Sequence, residues 1–175
     1  MTRYVAFLRA VNVGKRRVAM AQLRDEVTAL GFDDVVTYVN SGNVAFTTAA
    51  KAPGLEPAIE AKLAHAFGFE VPTFVRTLDH VARLVERRPF GDIDTAHTHM
   101  AVFLRKRATA ELECAAEAMT NEVDELVADG VELHWLIRGS FMDSTLKAKD
   151  WRTLGDEPTT SRNTTMLAKL VDKLA

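Results

Sequence analysis

With a single cysteine, Cys114, the chain has no internal disulfide framework and reads as the product of a reducing compartment. Net charge is only −2 and the pI is near 6.2, so the broad basic field of a protein that lives on duplex nucleic acid is missing. Any nucleic-acid contact has to be local. No long hydrophobic run occurs: the N-terminal apolar stretch from Tyr4 to Leu8, bounded by Arg3 and Arg9, is too short for a signal-peptide core or a bilayer span. These absences are those expected of a cytoplasmic protein without a membrane anchor. There is also no G-x-x-x-x-G-K-[ST] loop, no G-x-S-x-G elbow, and no His/Cys cluster at structural zinc spacing. What remains is an ordinary globular composition, 47% hydrophobic and 26% charged over 175 residues, enough to bury a core as one larger domain or two small halves.

Residues Arg3 to Arg9 read as a strand that is apolar on both faces, with Tyr4, Ala6 and Leu8 on one side and Val5 and Phe7 on the other. Met20, Leu23, Val27 and Leu30 fall at helical spacing, and Gly31 follows them. Val35 to Val39 and Val44 to Thr48 are strand-like runs around Asn40-Ser-Gly-Asn43, whose glycine and asparagines suit a tight hairpin with positive φ. Leu55, Ile59, Leu63 and Phe67 form a second helical stripe, and Val71 to Arg76 a fourth strand whose Pro72 belongs at a sheet edge. The order is βαββαβ, the ferredoxin-like arrangement, with the fourth strand at an edge in the usual strand order 4-1-3-2.

The second half repeats the order. After a helix from Thr77 to Arg88 and a linker over residues 90–98, a strand from Met100 to Arg105 leads to a helix from Thr109 to Met119. Strands around Glu125 to Ala128 and Val131 to Ile137 are joined by Asp129-Gly130, a strong hairpin signal. Ser144 to Leu154 reads as a short amphipathic helix ended by Gly155. The last helix is expected from about Arg162, capped by Ser161 or Thr160 and carrying Leu167, Leu170, Val171 and Leu174. The expectation is therefore an α+β fold of two ferredoxin-like halves, each an antiparallel sheet with helices on one face. The halves would be residues 1–76 and 99–175, linked by 77–98, with the second reading as βαββα plus an insertion over 138–160.

In a βαββ unit the second strand runs parallel to the first, so the end of the first strand and the hairpin between the second and third lie at one sheet end. That places Asn12, Gly14 and Lys15 beside Asn40, Ser41, Gly42 and Asn43. The loop from Val11 to Ala19 precedes a helix N-terminus and carries Gly14, Lys15, Arg16 and Arg17, a setting that favours an anion. The bland alternative is a solvated basic loop beside a hairpin whose asparagines only satisfy turn geometry. Arg162 and Asn163, at the start of the last helix, are a second anion candidate, weighed against ordinary N-capping with an exposed arginine. His97 and His99, with Asp92 and Asp94 upstream, could supply metal ligands, although linker histidines are more often merely solvated, and no metal is assigned. Cys114 reads as a small buried hydrophobe. An RNA-recognition reading is weak, because Ser41 to Thr48 lacks the basic and double-aromatic pattern of a stacking strand.

The segments Tyr4-Val-Ala-Phe-Leu-Arg-Ala-Val-Asn-Val-Gly14, Met20-Ala-Gln-Leu-Arg24, Leu30-Gly-Phe32, Tyr38-Val-Asn-Ser-Gly-Asn-Val-Ala-Phe46, Phe67-Gly-Phe-Glu-Val-Pro72 and Ser161-Arg-Asn163 resemble the bacterial family known as domain of unknown function 1697. The resemblance implies two ferredoxin-like α+β halves and no established activity, substrate or cofactor. The chain departs from the family pattern at Lys15, where a second glycine is usual, and at Thr164, where a tryptophan is frequent. The leading functional expectation is a cytosolic binding protein for an anionic, phosphate-bearing small ligand or a single-stranded nucleic-acid backbone. Gly14 and Lys15 would contact the anion, and Asn12, Asn40, Ser41 and Asn43 would orient it. The alternatives are an enzyme using Lys15, Ser41 or Arg162 in acyl or phosphoryl chemistry, and an interaction platform in which a partner covers the first strand.

Overall fold

The computed structural model describes residues 1–14, 16–39 and 42–175. They divide into two compact units, Met1–Arg83 with Leu170–Ala175, and Leu84–Lys169. The first contains β1 (Thr2–Leu8), α1 (Met20–Thr28), β2 (Asp33–Tyr38), β3 (Asn43–Thr48), α2 (Leu55–Phe67) and β4 (Thr73–Thr77), and α3 (Leu78–Glu86) follows. The strand order is β2-β3-β1-β4 with every pairing antiparallel, which is the expected 4-1-3-2 order.

Alternation along β1 divides the burial. Tyr4, Ala6 and Leu8 pack with Leu23 and Val27 of α1 and with Leu55, Ile59 and Leu63 of α2. Val5 and Phe7, with Ala45 and Phe74 beside them in register, are buried on the opposite face. Val5 and Phe7 have no exposed surface within this chain. Pro72 stands at the entry to the edge strand β4 rather than inside it, and its carbonyl accepts from Arg9 N at 2.8 Å. The outer edge of β4 is closed by α2: Glu60 Oε1 accepts from Thr73 N at 2.7 Å and Glu56 Oε1 from Val75 N at 2.8 Å. These carboxylates, one helical turn apart, occupy donors that would otherwise invite another strand.

The second unit contains β5 (Thr98–Phe103), α4 (Ala110–Met119), β6 (Asp124–Asp129), β7 (Glu132–Ile137), a four-residue α5 (Ala148–Trp151) and β8 (Thr160–Asn163), and α6 (Thr164–Leu174) comes after it. Its strand order, β6-β7-β5-β8, matches the first. Thr109 caps α4, accepting from Leu112 N, and Gly130 takes φ +68 in the Asp129-Gly130 hairpin.

Three expectations are corrected by the structure. The final helix does not open at Arg162: Thr160–Asn163 is a strand paired antiparallel with β5, so the second half is a complete four-stranded unit and α6 starts at Thr164. Its helix cap is Asn163, whose Oδ1 accepts from Thr165 N at 2.8 Å, rather than Ser161 or Thr160. Four polar residues carry no apolar alternation, and only pairing with β5 makes them a strand. The segment 144–154, expected as one short helix, is α5 flanked by a 3-10 turn at Arg152–Leu154. Cys114 is exposed, not buried.

Candidate functional site

The two turns of the first unit meet at Gly42. Its carbonyl accepts from Leu8 N at 2.8 Å, and a β-carbon built on it would stand 3.1 Å from Leu8 Cβ and 3.2 Å from Val11 Cβ. The hairpin therefore rests directly on the loop that leaves β1. Gly42 has φ +74, so glycine is required there for backbone form and for space alike.

The loop itself is braced from within. Val11 and Val18 are buried anchors, and the Asn12 amide spans the loop between them. Asn12 Nδ2 donates to Val18 O at 3.1 Å while Asn12 Oδ1 accepts from Val18 N at 2.8 Å. Along this stretch Ala10, Asn12 and Gly14 have φ of +57, +58 and +61, with Val11 and Val13 between them outside the left-handed region. Where left-handed residues alternate with right-handed ones, successive backbone N–H groups can form an anion-binding nest. Gly14 is exposed, and a β-carbon there would meet nothing within 4 Å, so its backbone is open to approach. Arg9, Arg16 and Arg17 are exposed, with the Arg16 guanidinium 4.8 Å from the Phe69 ring centroid. The loop runs into α1 at Ala19, where no side chain caps the helix.

Asn43, by contrast, is wholly buried, and its Nδ2 donates to Tyr38 O at 3.0 Å across the hairpin. Its amide braces the turn as that of Asn12 braces the loop. Lys15, Asn40 and Ser41 lie outside the described residues.

Arg162 and Asn163 belong to the second unit and do not form an exposed helix entrance. In register, Val127, His134, Ala101 and Arg162 make one row across the sheet on the face away from α4. Arg162 is 7% exposed, its Nη1 donates to Thr160 Oγ1 and Ser161 O at 2.8 Å each, and burial pushes its pKa down to about 10. Asn163 is spent on capping α6. The sequence shows an arginine among hydroxyls. Its burial follows from strand pairing.

That same face carries a histidine pair. His99 Nε2 and His134 Nδ1 are 2.9 Å apart, and His134 is wholly buried with its Nε2 3.6 Å from Asp129 Oδ2, beyond hydrogen-bond reach. Asp129 in turn pairs with Arg87 at 3.2 Å. Desolvation and the neighbouring His134 bring the pKa of His99 down to about 4. Desolvation also lowers that of His134, against the pull of the Asp129 charge. Both rings are thus neutral near pH 7, one donating and the other accepting. His99 turns to His134 rather than to His97, and among the described residues no group of three His, Cys, Asp or Glu side chains is set to hold a metal ion.

A second buried polar centre is Asp124. Its Oδ1 accepts from Trp135 Nε1 at 2.9 Å and Ser144 Oγ at 2.7 Å, and its Oδ2 accepts from Thr145 N and Thr145 Oγ1 at 2.8 Å each. Desolvation raises its pKa, but these bonds outweigh that and leave it below the usual carboxylate value. Sequence reasoning passed over this aspartate, because nothing local marks a carboxylate that gathers donors twenty residues away. The available signal was that a tryptophan on a core strand needs an acceptor for its N–H.

No described helix is long and apolar enough to cross a membrane. No curated protein matches the chain. Among solved structures, the conserved bacterial protein SP0830 from Streptococcus pneumoniae is similar at 25% identity with a TM-score of 0.78, over 99% of both chains. The family model described as protein of unknown function (DUF1697) matches residues 1–134, and the chain belongs to that family.

Proposed function

We propose that the β1–α1 loop is an anion-binding site, taking a phosphate-bearing small ligand or the backbone of a single-stranded nucleic acid. The observation that carries this reading is the alternation of left-handed residues at Ala10, Asn12 and Gly14, since backbone of that form gathers N–H groups into a concavity suited to an anion. Three further features support it. The exposed Gly14 leaves the backbone approachable, Arg16 and Arg17 add positive charge, and α1 begins without a side-chain cap, so its N-terminal N–H groups add a partial positive charge. Gly14 and Lys15 carry the anion contacts. Asn12 and Asn43 shape the site from behind instead of touching the ligand, which leaves Asn40 and Ser41 as the hairpin's groups for orienting hydrogen bonds.

The test is a Lys15→Ala, Arg16→Ala double variant titrated with inorganic phosphate and with a single-stranded oligonucleotide at two ionic strengths, with circular dichroism as the folding control. Affinity is expected to fall, and the difference from the parent protein to shrink as salt rises. Unchanged binding would leave the loop as a solvated surface.

A further inference from the structure

Trp135, on the helix-covered side of β7, is 4% exposed, and its ring meets those of Phe141 and Trp151 edge-on, with centroids 5.7 and 4.9 Å away. The three rings, with Ser144, Lys147 and Ser161, line a cleft of about 380 Å³, within the size range of small-molecule sites. The carboxylate of Asp124 that receives the Trp135 N–H also holds Ser144 and Thr145, so one buried group fixes both a ring of the cleft and the chain bordering it. Preformed walls reduce the entropy lost on binding.

Two observations identify what fits. Phe141 and Met142 are 52% and 86% exposed on a three-residue turn beside the cleft, apolar surface that the chain leaves uncovered next to a ring-lined cavity. Aromatic walls alone would accept either a cation, through the ring faces, or another ring. Lys147 decides between them. It lines the cleft and makes no ion pair among the described residues; the Asp150 carboxylate accepts from its backbone N–H at 2.7 Å, and the Asp124 carboxylate accepts from four other donors. A cation would be repelled by the ammonium. A flat ring bearing a carboxylate, sulfonate or phosphate satisfies both parts of the wall.

We propose that the second unit carries a ligand site of its own, in which the cleft between Trp135, Phe141 and Trp151 binds a small planar aromatic anion with its acidic group on Lys147. The chain has two tryptophans and both border this cleft, so a ¹H–¹⁵N spectrum offers two indole signals that report on it directly. Titration with 1-naphthoate should shift both indole signals saturably. The uncharged 1-naphthamide should bind about two- to five-fold more weakly, the scale of one exposed charge pair, and the cationic 1-naphthylmethyl-trimethylammonium more weakly still. Lys147→Gln should remove the preference for naphthoate over the amide while leaving the indole signals of the unliganded protein in place. Indole signals unmoved by naphthoate would overturn the proposal, and so would equal affinity for all three compounds or a preference for the cation.

Discussion

Gly42 lies so close to Val11 that a β-carbon added to it would stand 3.2 Å from the Val11 β-carbon and 3.1 Å from that of Leu8. This contact seats the β2–β3 hairpin on the loop leaving β1. Gly42→Ala is therefore expected to cost more than the ~1 kcal/mol of a left-handed alanine alone, because two buried side chains must also give way. Gly14→Ala, at a similar positive φ but with open space around it, should cost only the backbone part. Denaturant melts of the two variants give the comparison, and equal losses would show that the close approach carries no energy.

Asn12 holds its loop through two hydrogen bonds to the backbone of Val18. Asn12→Ala removes both and an amide suited to left-handed φ, so a loss of about 1–2 kcal/mol is expected. Amide hydrogen exchange around Val18 should rise more than in β3. Protection unchanged at Val18 would mean the loop is held by its buried valines instead.

Asp124 is the point on which the second unit's polar interior turns. Asp124→Ala strands the buried indole N–H of Trp135 and the donors of Ser144 and Thr145, at an expected cost of ~3 kcal/mol. It should also change tryptophan emission, since Trp135 loses its anchor. A melt shifted by less than one third of that amount would show that water replaces the carboxylate easily.

The histidine pair makes stability depend on pH in a defined window. Both rings are neutral in the folded protein, and His99 titrates at about 4 against 6.5 when unperturbed. The unfolded chain therefore takes up protons first, and the stability associated with the neutral pair is present above pH 6.5 and declines as the pH falls toward 4. Asp124, whose pKa is lowered, contributes stability above the ordinary carboxylate value and loses it as the pH falls below that value through its own lower pKa, on the acid side of this window. Thermal melts between pH 7 and 4.5 should fall in the parent protein and flatten in His99→Gln. A parallel decline in both would assign the effect to other groups.

Much of the architecture was legible because hydrophobic period and turn chemistry agree. The double-sided apolar run at Tyr4–Leu8, the helical stripe through Leu55, Ile59 and Leu63, and Asp129-Gly130 each point to the element observed. β8 was hidden because Thr160, Ser161, Arg162 and Asn163 form a strand only through pairing with β5, and the same residues make a convincing helix cap when read alone. The meeting of the two turns followed from topology, as the contact of Gly42 with Val11 bears out. What the asparagines do there did not, since no sequence pattern states whether an amide faces solvent or its own backbone. Asn12 and Asn43 bond to Val18 and Tyr38. The centres at Asp124 and at His99–His134 join residues from 11 to 35 positions apart, distances over which pattern reading has no grip.

The most direct test of the anion site is a ¹H–¹⁵N titration of the protein with inorganic phosphate, following the backbone amides of Ala10 to Gly14. Alternating left-handed backbone predicts that these amides shift together and saturate, ahead of those near the other basic run, Arg105 to Arg107. Shifts spread evenly over both basic segments, or none at Ala10 to Gly14, would contradict the account.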